Sequence, residues 1–175
     1  MIVAILILFF TSLSVEAQKF KQPVLISSAG QSADVKLVKM LAQRQGLNAT
    51  TILMAKSADL TGFKTLIIVP GFSSKGLGAA GISQQEEMER VKALIKSAND
   101  LKIPIVMIHI GGSARRQGQS DAFNQIVAEN SKSMLVVKQG DEDGFFTTIS
   151  KAKNIPLTLV VKIAETEIPL GNFFK

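Results

Sequence analysis

Three stretches of this chain run apolar and then break into glycine and serine: VLISSAGQSAD from Val24, LIIVPGFSSKGLGAAGIS from Leu66 and IVMIHIGGSARRQGQS from Ile105. Short, uninterrupted apolar runs of this kind suit strands buried on both faces, the condition of a parallel sheet covered by helices. In such a sheet every strand-to-helix turn leaves from the same edge. The three polar turns are therefore expected to gather on one rim, where open α/β folds hold their ligands.

Helix and strand signals alternate along the rest of the chain. Strands are expected at 23–27, 50–54, 64–69, 103–110, 134–137 and 157–163. A helix over 33–45 puts Val35, Val38, Leu41 and Ala42 on one face before Gly46. The pair Ser83 and Glu86 has capping-box spacing and precedes an apolar stripe of Met88, Val91, Leu94, Ile95 and Ala98. A short helix over 120–129 carries Phe123, Ile126 and Val127. Asp143 is expected to cap a further helix bearing Phe145, Phe146, Ile149 and Ala152. After Ala164, Pro169 and Gly171 argue against a helix, although Ile168, Leu170, Phe173 and Phe174 can pack back on the body. Ser32 reads as the N-cap of the first helix. Right-handed crossovers then give an α/β, three-layer αβα fold, Rossmann-like and flavodoxin-like, with five to six mostly parallel strands ordered 2-1-3-4-5. Its switch point brings residues 27–34 against 71–83, with the His109 turn as the next neighbour.

At 175 residues and 46% hydrophobic content the chain builds one core, so residues 18–175 are expected to form a single domain. The first ten residues are uninterruptedly apolar, no charge precedes Glu16, and Val15-Glu16-Ala17 places small residues at both recognition positions of a signal-peptidase site. Residues 1–17 therefore read as a secretory signal peptide, with a secreted or periplasmic product. Polarity returns at Thr11 and Ser12, short of the roughly 20 apolar residues a membrane span needs, so no stable membrane anchor is expected after cleavage. Cys is absent, which removes disulfides, thiolate ligands and cysteine nucleophiles. Without Glu16 the remainder carries 20 basic against 13 acidic side chains, a net charge of +7. That balance suits an anionic partner. Nucleic acid fits poorly, because Trp and Tyr are absent and no stacking motif is visible.

Familiar motifs fail on spacing. Gly76, Gly78 and Gly81 satisfy G-x-G-x-x-G, but the turn from the strand ending at Val69 is too long for a dinucleotide site. Gly71 to Gly76 has the spacing of a phosphate-binding loop, yet Leu77 stands where Lys must follow, and Lys75 does not repair it. Gly30-Gln31-Ser32-Ala33-Asp34 lacks the second glycine of a nucleophile elbow. No cofactor is expected. One His and scattered carboxylates offer no metal cluster, and Asp141, Asp143 and Gly144 match only a fragment of a calcium loop, so they read as helix-start charges. His109, the single histidine, is a candidate catalytic base or a strand-end imidazole satisfied by a carbonyl. Arg115 and Arg116 offer guanidinium forks for a carboxylate or phosphate.

The strings SSAGQSADVKLVKMLA, GFSSKGLGAAGI, MIHIGGSARRQGQSDAF and GDEDGFFTTISKAKNIPLT resemble an exported bacterial family described as domain of unknown function number 6305. The resemblance covers nearly all of the chain after the leader. It implies an exported single domain with these loops at its functional edge, and no reaction. From the residues themselves, the candidate ligand-binding set is Ser28, Gly30, Gln31, Ser32, Ser73, Ser74, Lys75, Gly76, His109, Gly111, Gly112 and Arg115. The preferred reading is a module binding a small anionic or polar molecule. The alternatives are a hydrolase using His109 with Ser28, Ser32 or Ser74, and a domain whose glycine-rich edge docks another protein.

Overall fold

The computed structural model describes residues 19–175, so the signal-peptide reading of residues 1–17 lies outside the described residues. Six strands form one all-parallel sheet in the order β2-β1-β3-β4-β5-β6, with β1 at Val24–Ala29, β2 at Ala49–Thr51, β3 at Thr65–Pro70, β4 at Ile105–His109, β5 at Ser133–Val137 and β6 at Leu157–Val160. The helices are α1 (Val35–Arg44), α2 (Ser74–Ala80), α3 (Gln84–Asp100), α4 (Gly118–Glu129), α5 (Phe145–Lys153) and α6 (Glu167–Asn172). The flavodoxin-like order and its switch point between β1 and β3 follow as the alternation of elements implied. Among the described residues no helix is long and apolar enough to cross a membrane.

Strand residues alternate between two cores. Leu66, Ile68, Ile105, Met107, Met134 and Val136 meet α3, α4 and α5 through Val91, Leu94, Phe123, Val127 and Phe146. Ile67, Val69, Val106, Ile108, Leu135 and Val137 meet α1 through Val35, Val38 and Leu41, and α6 through Leu170. Period-two alternation places His109 in phase with Ile105 and Met107, and its ring lies against Phe146 of α5.

Several local expectations change. The glycine-rich segment after Ser73 is helical: the Ser73 hydroxyl accepts the Gly76 N–H at 3.0 Å and Gly81, at φ +67°, ends α2. Good caps at both ends outweigh the poor propensity of Gly76 and Gly78. The tail also forms a helix, α6, despite Pro169, which sits in its first turn where a missing N–H breaks no intrahelical bond. At α5 it is Asp141, more than Asp143, that caps, accepting the Phe146 and Thr147 amides at 2.7 and 3.1 Å. Ser32 lies short of the N-cap position, which Asp34 holds, and its hydroxyl accepts the Asp34 N–H at 3.3 Å. β2 is only three residues long, and β6 stops at Val160, after which Glu165 takes the Val161 N–H.

Candidate functional site

The three glycine-bearing turns meet at the switch point. Gly30, at φ +87°, packs so closely on the β3 turn that a Cβ there would lie 2.7 Å from the Gly71 carbonyl oxygen. Backbone bonds tie the two turns, Gly71 N–H to Ala29 O and Ser73 N–H to Gly30 O, both at 2.8 Å. A Cβ on Gly76 would lie 2.6 Å from Gln31 O, so the absence of a side chain lets the first turn of α2 sit against Gln31. The third turn arrives through Arg115, whose side chain covers Gly71 and Gly111.

Arg115 bridges all three turns. Its Nη1 donates to the Phe72 carbonyl at 2.8 Å, and its Nε stands 3.6 Å from Asp34 Oδ2, outside hydrogen-bond range. Both side chains remain about a quarter exposed. Gln31, three residues before Asp34 in the β1–α1 turn and against Gly76, is left-handed at φ +61° and only 4% exposed, and among the described residues its Nε2 has no hydrogen-bond partner. Among the described residues Asp34 Oδ2 also lacks a hydrogen-bond donor.

Other expected site residues sit elsewhere. Ser28 is fully buried and its hydroxyl donates to Leu53 O at 2.9 Å. Ser32 is buried on its local bond to Asp34. Ser73 caps α2, Ser74 and Lys75 are exposed on its first turn, and Gly112 packs on Gln139. His109 is completely buried, with Nε2 3.1 Å from Arg115 O; a carbonyl only accepts, so Nε2 carries the proton and Nδ1 is left without a partner. Burial is the main cause of a pKa below the ordinary imidazole value, the Arg116 charge adds to it, and the bond to Arg115 opposes it. Among the described residues no serine hydroxyl bonds to His109. The geometry therefore supplies an imidazole that orients the Arg115 peptide, together with Asn124, whose Nδ2 donates to the same carbonyl at 2.9 Å.

Two clamps lie beneath the rim: the sequence reading misses the first, Glu87 with Arg90, and takes Arg116 of the second for a candidate ligand contact. Glu87, fully buried on α3, accepts the Gly30 N–H at 2.9 Å and pairs with Arg90, which also donates to Ser28 O and Ala55 O. The signal was present: 87, 91, 94 and 98 share one helix face, so a carboxylate interrupts an apolar stripe. Arg116, with 5% of its side chain exposed, pairs with Asp121 and Asp143, donates to Gly140 O and lies 4.3 Å from the centre of the Phe145 ring. Burial works against its charge, but the two carboxylates outweigh it and raise its pKa. Burial likewise works to raise the Asp121 pKa, and the bonds from Arg116 and Asn124 bring it below the usual carboxylate value. At Asp143 the Arg116 bond is the leading cause of a lowered pKa.

Solved structures are similar to this chain only at low identity and low TM-score. A Schiff base forming fructose-1,6-bisphosphate aldolase is 10% identical over 87% of this chain and 80% of its own, with a TM-score of 0.39. A GDSL-like lipase from Bacteroides thetaiotaomicron is 11% identical over 78% of this chain and 66% of its own, at 0.34. A psychrotrophic esterase from Pseudoalteromonas sp. is 16% identical over 78% and 76%, at 0.32. No curated protein matches the chain. A family model matches residues 21–174, and the chain accordingly belongs to the family described as Domain of unknown function (DUF6305).

Proposed function

We propose that this is an exported binding domain that holds one small anionic or polar molecule on the rim, between the turns that follow β1, β3 and β4. Gln31 and Arg115 are its principal contacts. The observation that carries the reading is Gln31: a buried amide nitrogen with no partner, on a residue held left-handed. An unsatisfied buried donor costs about 1–3 kcal/mol. Strained, unsatisfied groups persist most readily where function uses them. The turn after β4 adds a guanidinium with donors to spare.

The ligand's chemistry follows from the charges around it. Acid oxygens suit Arg115 and the Gln31 amide, whereas Asp34 Oδ2 repels a bare anion and welcomes a donor. A small acid that also carries a hydroxyl or amino group meets both demands. Export is supported by the leader-like residues 1–17.

A thermal-shift panel of hydroxy acids, amino acids and sugar phosphates tests the proposal. A true ligand at 100 times its Kd stabilises the fold by about 2.7 kcal/mol. Gln31→Ala and Arg115→Ala should each remove most of that shift, and a shift unchanged in both rejects the site.

A further inference from the structure

We propose that β6 is a dimerisation edge, where two copies pair their β6 strands antiparallel about a two-fold axis at Thr158 and join two sheets into one. The hydrogen-bond ladder sets this up. Met134 N–H donates to Pro156 O at 2.9 Å and Met134 is in register with Leu157. In a parallel pair that arrangement turns the backbone groups of Pro156, Thr158 and Val160 toward β5 and those of Leu157 and Leu159 outward. The next outward N–H, on Val161, is already taken by Glu165 Oε2 at 2.9 Å. The open edge is therefore a window of two residues, each with one donor and one acceptor.

A second copy of the same window is its complement. With the axis at Thr158, Leu157 lies opposite the partner's Leu159 and Leu159 opposite the partner's Leu157, and each pair exchanges both bonds. All four outward groups of each strand are then satisfied. The side chains favour the same arrangement, since Leu157 and Leu159 would pack across the junction on one face. Among the described residues, four of the seven large exposed apolar side chains fall in this short stretch: Leu159, Val161, Ile163 and Ile168. An edge strand with no charge inside it is otherwise an aggregation hazard.

The chain has no cysteine, so a single introduced thiol reports only on contact between copies. At the axis, Thr158 and its symmetry mate form a non-hydrogen-bonded pair with Cα atoms about 4.5 Å apart, within disulfide reach. Protein purified after expression of this chain is expected to sediment at twice the mass of the purified polypeptide, and Leu159→Lys to return it to a monomer that still unfolds cooperatively, at a midpoint lowered only by the lost association. Thr158→Cys should cross-link under mild oxidation at least ~10-fold faster than Val161→Cys, which lies off the axis. This second measurement decides the matter if Leu159→Lys fails to fold. A monomer at every concentration, including one carrying a foreign peptide on this edge, overturns the proposal, as does equal cross-linking of the two cysteine variants.

Discussion

The Glu87 carboxylate accepts the amide hydrogen of Gly30, a residue 57 positions earlier in the chain, at 2.9 Å in a fully buried setting. Through this bond α3 holds the floor of the turn that carries Gln31. Arg90 neutralises the carboxylate and also donates to Ser28 O and Ala55 O, so one ion pair fixes the C-terminal end of β1 and the segment after β2.

Breaking that pair should be costly. Glu87→Ala leaves a guanidinium buried and uncompensated and Gly30 N–H without an acceptor, a loss of about 3–5 kcal/mol. Glu87→Gln, which keeps an acceptor for Gly30, should lose less. Urea unfolding of the two variants measures the difference, and a loss below ~1 kcal/mol for Glu87→Ala refutes the clamp.

Gly30 and Gly46 provide a controlled comparison. Both have positive φ, +87° and +68°, but a Cβ on Gly30 meets Gly71 O at 2.7 Å whereas one on Gly46 meets nothing within 4 Å. Gly46→Ala should cost only the left-handed backbone penalty, about 1 kcal/mol. Gly30→Ala should cost clearly more, because the two turns must part. Equal losses would mean that contact between the turns contributes nothing.

His109 makes stability depend on pH in a definite direction. The unfolded chain takes up a proton near the ordinary value of 6.5, while the folded chain resists it because burial and the Arg116 charge disfavour imidazolium. Stability is therefore fully present above about pH 6.5 and falls as the pH drops below it, with a slope of at most about 1.4 kcal/mol per pH unit. Asp121 and Asp143, with lowered pKa values, act in a separate window: their contribution is present above the unfolded value of 3.8 and is lost below it. His109→Gln should flatten the decline just below pH 6.5 and leave the acid limb in place. A wild-type curve that is already flat there would sink the assignment.

Arg116 should behave as an anchor and not as a ligand contact. Arg116→Ala leaves Asp121 and the Phe145 face without their partner, at a cost of about 2–4 kcal/mol, and Arg116→Lys should recover only part of it because an ammonium cannot bridge two carboxylates as a planar fork. Ligand-induced stabilisation, measured relative to each variant's own baseline, should survive in Arg116→Lys. Its disappearance there would move Arg116 into the binding site.

The sequence by itself determined the αβ alternation, the parallel sheet, the switch point and the rim on which Gly30, Gly71 and Gly111 gather, because these depend on local apolar period and on the handedness of crossovers. It also marked Ser83 and Glu86 as a capping box, which stands as read. What only the tertiary structure decided is the role of each polar side chain on that rim. Arg115 and Arg116 are adjacent in sequence, yet one spans the three turns about a quarter exposed and the other is buried between Asp121, Asp143 and Phe145. Asp121 is only five residues from Arg116, but Asp143 and Phe145, like Asp34 and Phe72 beside Arg115, come from other turns and helices that meet only when the chain folds. Likewise His109 ended beneath the rim, because a strand's alternation sets the face a residue points to but not how deeply later helices cover it.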